Sequence, residues 1–131
     1  MSSYTLSATV ALPYDDAVTA TRTALAHQGF GVLTEIDIAA TLKAKVDVDV
    51  PSQVILGVCR PPLAYAALQV DPSAATLLPC NVVVRSVGID TCLVEAFDPA
   101  AMTHLVPGLE QVAAEAGLRL TVALAALTEE H

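Results

Sequence analysis

The chain has 131 residues, 54% of them hydrophobic but only 4% aromatic, and its 14 acidic and six basic side chains give a net charge of −8. That length suits one domain over residues 1–131, able to bury about two-thirds of its unfolded surface. The basic residues (Arg22, Lys43, Lys45, Arg60, Arg85 and Arg119) are scattered, so no basic stripe neutralises phosphates, and nucleic acid and anionic membrane surfaces are both disfavoured as partners. No apolar run approaches the roughly 18 residues that span a bilayer. The opening Met1-Ser2-Ser3-Tyr4 has neither the basic nor the apolar region of a signal peptide, and a cytoplasmic protein is expected. A mean hydropathy of +0.60 without a membrane segment finds its outlet in a subunit interface, which favours a homodimer.

In chain order, Tyr4 to Leu12 alternates Leu6, Ala8, Val10 and Leu12 with polar residues, the pattern of a half-buried strand. Pro13 ends it, and Asp15 and Asp16 place negative charge at the start of a helix that runs to about Gln28. Gly29 suits the left-handed position after that helix. Gly31 to Ile36 reads as a second strand, and Asp37 as the cap of a short helix through 39–43. Val54 to Val58 is a third strand, followed by Pro61-Pro62 launching a helix over Leu63 to Gln69, which Asp71-Pro72 stops. Leu78–Arg85 and Cys92–Phe97 read as a hairpin around 87–90, with Gly88 free to take positive φ. Asp98-Pro99 caps and starts a short helix. A last helix from about Gly108 to Leu127 carries the stripe Leu109, Val112, Ala113, Ala116, Leu120, Leu124 and Leu127, with Gly117 a place for a bend. The expected class is α+β: one largely antiparallel sheet with helices on one face.

Two of the three cysteines are set in proline at strand ends, in Cys59-Arg60-Pro61-Pro62 and in Leu78-Pro79-Cys80-Asn81. If the adjoining strands are antiparallel neighbours, the end of one lies beside the start of the other and the two thiols share one region. No C-x-x-C occurs, so thioredoxin-type and zinc-ribbon spacings are both absent. His27, His104 and His131 are too far apart to draw a metal site from spacing. Met102 and His104 sit two apart on a short helix and face different ways, which disfavours joint ligation of a haem iron. Cys92 shares a strand face with Val94 and Ala96, which points to burial.

Three stretches carry a family resemblance: Gly29-Phe30-Gly31-Val32-Leu33-Thr34-Glu35-Ile36-Asp37, Ile55-Leu56-Gly57-Val58-Cys59-Arg60-Pro61-Pro62-Leu63-Ala64, and Leu77-Leu78-Pro79-Cys80-Asn81-Val82-Val83-Val84. Phe97-Asp98-Pro99-Ala100-Ala101-Met102 fits as well. Together they make the chain resemble domain-of-unknown-function family 302 over nearly its whole length. The resemblance implies a β-α-β4-α fold with extra short helices and a sheet similar to that of the TATA-binding protein, usually in a dimer. It implies no activity. Cys59 and Cys80 match the family's two cysteine positions, Cys92 does not, and Arg60 stands where a polar residue such as Asn is common.

The functional reading centres on Cys59. Arg60 beside it and the helix N-terminus at Pro61-Pro62 would both favour a thiolate, giving a reactive thiol or a soft-metal ligand. The bland reading makes both thiols small buried hydrophobes. A reversible disulfide requires Cα atoms within about 7 Å. Asn81 offers a hydrogen bond to a ligand or ties its own turn. Glu35 with Asp37 suggests an acid–base pair, against the simpler reading of a solvated carboxylate beside a helix cap. Three functions follow: a dimeric ligand-binding or sensing module with Cys59 and Cys80 at its pocket, a thiol-dependent redox or sulfur-handling protein, and a structural interaction domain. The ligand-binding module needs the fewest assumptions. No base stands at motif spacing from a nucleophile, which argues against an enzyme, and no cofactor is implied.

Overall fold

Alternating burial builds the sheet. On β1 (Thr5–Val10), β3 (Gln53–Cys59), β4 (Cys80–Gly88) and β5 (Thr91–Phe97), every second residue is buried: Ala8 and Val10, Val54, Leu56 and Val58, Val82 and Val84, then Cys92, Val94 and Ala96. In the computed structural model, which describes residues 3–128, these strands and β2 (Gly31–Asp37) form one five-stranded antiparallel sheet in the order β1-β5-β4-β3-β2. His131 lies outside the described residues. The fold is α+β, as the resemblance implies.

Helices α1 (Tyr14–His27) and α4 (Glu110–Leu127) cover the buried face of the sheet. Ala17, Ala24 and Leu25 from α1 and Leu120, Ala123, Leu124 and Leu127 from α4 close the main core. Each fully buried Leu or Val there is worth about 1.5–3 kcal/mol in apolar surface removed from water. Thr21 is the one polar side chain among the described buried residues, and its hydroxyl donates to the Ala17 carbonyl at 2.7 Å. The other sheet face is partly wet, which antiparallel sheets tolerate. There Thr5 Oγ1 donates to Glu95 Oε2 at 3.3 Å and Arg85 pairs with Glu95 at 3.2 Å.

A second, smaller cluster joins α3 (Pro61–Val70) and two 3-10 turns, Pro72–Leu77 and Pro99–His104, to the start of α4. Ala67, Ala74, Met102, Val106 and Leu109 form it. The remaining helix, α2 (Ile38–Val46), buries no residue and packs against β2 and β3.

Several element limits differ from the sequence expectation for local reasons. β1 is shorter than Tyr4–Leu12. α2 runs on to Val46, and Asp37 does cap it, Oδ1 accepting from the Ala40 N–H at 2.9 Å. β4 begins at Cys80 rather than Leu78, after a cis Leu78–Pro79 peptide. The hairpin turn narrows to Ile89-Asp90 between paired Gly88 and Thr91, because a register shift at Ser86/Gly88 absorbs the bend without positive φ at Gly88. Gly29 does adopt φ +82° after α1. α4 starts at Glu110, after Gly108 at φ +96°, and Gly117 does not interrupt it.

Candidate functional site

The pairing of β3 with β4 decides where the proline-framed cysteines go. Val58 pairs with Cys80, so Cys59 falls one residue beyond, opposite Pro79. The end of one strand therefore lies beside the start of the other. Cys80 shares the face of Val58 and packs against the main core, and Cys59 lies close enough for its charge to act on Cys80. All three cysteines are free.

A cavity of about 40 Å3 opens where the two hydrophobic clusters meet. Cys59, Arg60 and Cys80 line it from the strand ends, Leu63, Ala64 and Ala67 from α3, and Phe30, Met102 and Val112 from elsewhere. Its walls are otherwise apolar. The volume is close to the share of one water molecule, about 30 Å3.

Burial pushes the Cys80 thiol above its ordinary value of 9.0, and the neighbouring Cys59 adds to that when it carries charge. Cys80 is thus a neutral thiol at physiological pH. Cys92 is fully buried on β5, its pKa also raised by burial, with its Sγ 3.6 Å from the Leu12 carbonyl.

The two groups expected to favour charge at Cys59 are otherwise engaged. Arg60 Nε donates to the Gln28 carbonyl at 3.0 Å, and its side chain passes so close to Gly29 that a Cβ there would lie 3.0 Å from Nε. Arg60 thereby ties the start of α3 to the end of α1. The α3 N-terminus opens with Pro61 and Pro62, which have no N–H, and the Leu63 N–H donates to the Arg60 carbonyl at 3.0 Å. The first turn has no free amide to offer an anion.

The remaining sequence candidates lie elsewhere. Pro61 and Asn81 are exposed and do not line the cavity. Glu35 sits on β2 above α1, paired with Arg22 at 2.7 Å, in a separate depression with Tyr14, Asp15 and Asp37. These carboxylates, together with burial, raise the Tyr14 pKa, burial being the largest cause. Glu35 thus pairs with Arg22, while Asp37 Oδ1 caps α2. Met102 lines the cavity while His104 is exposed, so the two do not converge.

Sequence reasoning missed Phe30, Leu63 and Val112 as cavity residues. Phe30 and Leu63 stand within the family-like stretches, but a single apolar residue at a strand or helix start does not signal a cavity. Gly57 was also missed. A Cβ on it would strike Thr34 Oγ1 and lie 2.9 Å from Pro79, so glycine is what lets the Pro79 turn close over β3. Among the described residues no group of three or more His, Cys, Asp or Glu side chains is placed to hold a metal, and no helix is long and apolar enough to cross a membrane.

No curated protein matches the chain. Among solved structures, the crystal structure of uncharacterized conserved protein DUF302 from Bacillus stearothermophilus is similar, with a TM-score of 0.87 over 96% of this chain and 99% of that one. At 24% identity that likeness speaks to the fold. The model of the family described as "Domain of unknown function DUF302" matches residues 6–127, nearly the whole of the sheet and its helices, and the chain belongs to that family.

Proposed function

We propose that this protein is a small-ligand binding or sensing module whose site is the cavity between the two hydrophobic clusters. The observation that carries the reading is the placement of that cavity. It gathers the family-like strand ends, with Cys59, Arg60 and Cys80, against the apolar walls Phe30, Leu63 and Met102. Only a small apolar group fits the 40 Å3 available. Arg60, which lines the cavity with its Nε held by the Gln28 carbonyl, supplies the positive charge for an anionic head. A short-chain carboxylate has that chemistry. Cys59 then sits at the rim, where it reports occupancy and can be shielded by it. On this reading the working species is a homodimer, which light scattering tests separately.

The test is thermal denaturation with linear carboxylates of increasing length, combined with the alkylation rate of Cys59. The reading predicts a rise in Tm that peaks at one chain length, slower Cys59 alkylation in the same samples, and loss of both in Ala64→Leu, which fills the cavity from α3. No response to any carboxylate, with Cys59 rapidly alkylated and oxidised, would contradict it and favour thiol-dependent redox or sulfur handling.

A further inference from the structure

Among the described residues, four side chains carry sulfur: Cys59, Cys80, Cys92 and Met102. Three of them line one cavity. Cys59 reaches it from the end of β3, Cys80 from the start of β4, and Met102 from the 3-10 turn Pro99–His104. Cys92 stands apart on β5, its Sγ beside the Leu12 carbonyl. Each of the three is set by backbone that is already fixed. Cys80 pairs with Val58 across the sheet. Cys59 is followed by Arg60, whose Nε is tied to the Gln28 carbonyl. Met102 is buried in a turn that Asp98 caps through the Ala100 N–H at 3.0 Å.

Sulfur in a core is ordinarily packing, since methionine fills irregular gaps and free cysteine behaves as a small hydrophobe. Here two cysteines and a methionine meet, and a gap of about 40 Å3 remains. No carboxylate, imidazole or hydroxyl of the described residues lines it, and its one charged neighbour is Arg60. Calcium and magnesium take oxygen ligands and are excluded. Zinc sites draw three or four ligands from Cys, His and carboxylates, and the cavity has two such side chains. Thiolate and thioether donors without oxygen or nitrogen select copper(I).

We infer that the cavity binds one copper(I) ion through the sulfurs of Cys59, Cys80 and Met102. On binding, each cysteine gives its S–H proton to solvent and forms a copper–sulfur bond. Two thiolates and one monovalent cation leave a single negative charge, which the Arg60 guanidinium offsets within apolar walls. A divalent ion would neutralise the thiolates and leave that guanidinium without a counter-charge. The inference rests on the cavity being the binding site but not on a carboxylate as its occupant, and the two ligands compete for the same space.

Competition with bicinchoninate for copper(I), without oxygen and with excess ascorbate, tests it. One equivalent of copper is expected to leave the chelator for the wild-type protein, with X-ray absorption of the bound ion showing sulfur neighbours alone. Cys59→Ser and Cys80→Ser are each expected to weaken binding at least about 100-fold, and Met102→Leu, which keeps the volume, about 10-fold. Cys92→Ala is expected to bind copper as the wild type does. Cys59 is only half-buried, so Cys59→Ser carries the test if Cys80→Ser fails to fold. Zinc bound as tightly as copper(I), or copper held equally well by Cys59→Ser, would overturn the inference. Wild-type protein that takes no copper yet still gains Tm with a carboxylate would overturn it and leave the binding module standing. Copper bound as expected without any carboxylate response would uphold it and remove the carboxylate as the occupant.

Discussion

The two hydrophobic clusters were made from similar residues but to different tolerances. In the main core, Val10, Leu56, Val58, Val82, Val84 and Val94 are completely buried, and the contact of α1 and α4 with the sheet leaves no space for a water-sized atom. In the smaller cluster, short 3-10 turns and α3 meet the start of α4 and leave the 40 Å3 cavity. Regular elements interdigitate along their length, whereas turns held by proline and capping aspartates, such as Asp71 and Asp98, fix the backbone without filling every gap. The contrast separates two roles: the tight cluster sets the fold, and the loose one holds the cavity on which the proposed function rests.

The sharpest way to break this contrast is truncation in each cluster. Leu56→Ala is expected to cost about 3 to 5 kcal/mol, since its close-packed surroundings cannot collapse. Met102→Ala is expected at the low end of its class, about 2 kcal/mol, because its neighbours already border a void. Equal losses in denaturant melts would erase the distinction. Next in size, Gly57→Ala should cost roughly 1–3 kcal/mol by overpacking against Thr34 and Pro79; a neutral result would show that the Pro79 turn moves freely.

A smaller effect depends on pH. Burial raises the Cys80 and Cys92 thiols in the folded chain, so the native state holds these protons more tightly than the unfolded one. Stability is then fully present below the ordinary thiol value of 9.0 and falls as pH climbs through the raised native values. Cys80→Ala should flatten part of that alkaline loss, as read from urea midpoints against pH. The smallest change is expected far from both clusters: Glu35→Gln breaks the half-exposed pair with Arg22 and should cost under about 1 kcal/mol, with no effect on ligand response.

Much of the fold was legible because it rests on local rules. Asp37 as a cap, Gly29 in the left-handed region, the β4–β5 hairpin and the buried stripe of α4 each follow from a residue and its immediate neighbours. The closeness of Cys59 and Cys80 followed from one assumption about strand pairing. Features set by distant chain segments were not legible. Arg22 meets Glu35 only because α1 lies against β2, and Arg60 meets Gln28 because α3 starts beside the end of α1. Val112 read as part of the apolar stripe of α4, and nothing local marked Phe30, until the 3-10 turns left a cavity beside them.

Cysteine-resolved alkylation of the native protein from pH 5 to 9, followed by mass spectrometry, tests the cavity account most directly. The account predicts that Cys59 at the rim reacts first in the folded state and is slowed by a bound carboxylate. Cys80 should lag behind it, and Cys92 should react only on unfolding. Reaction of all three only on unfolding, or of Cys80 ahead of Cys59, would contradict it.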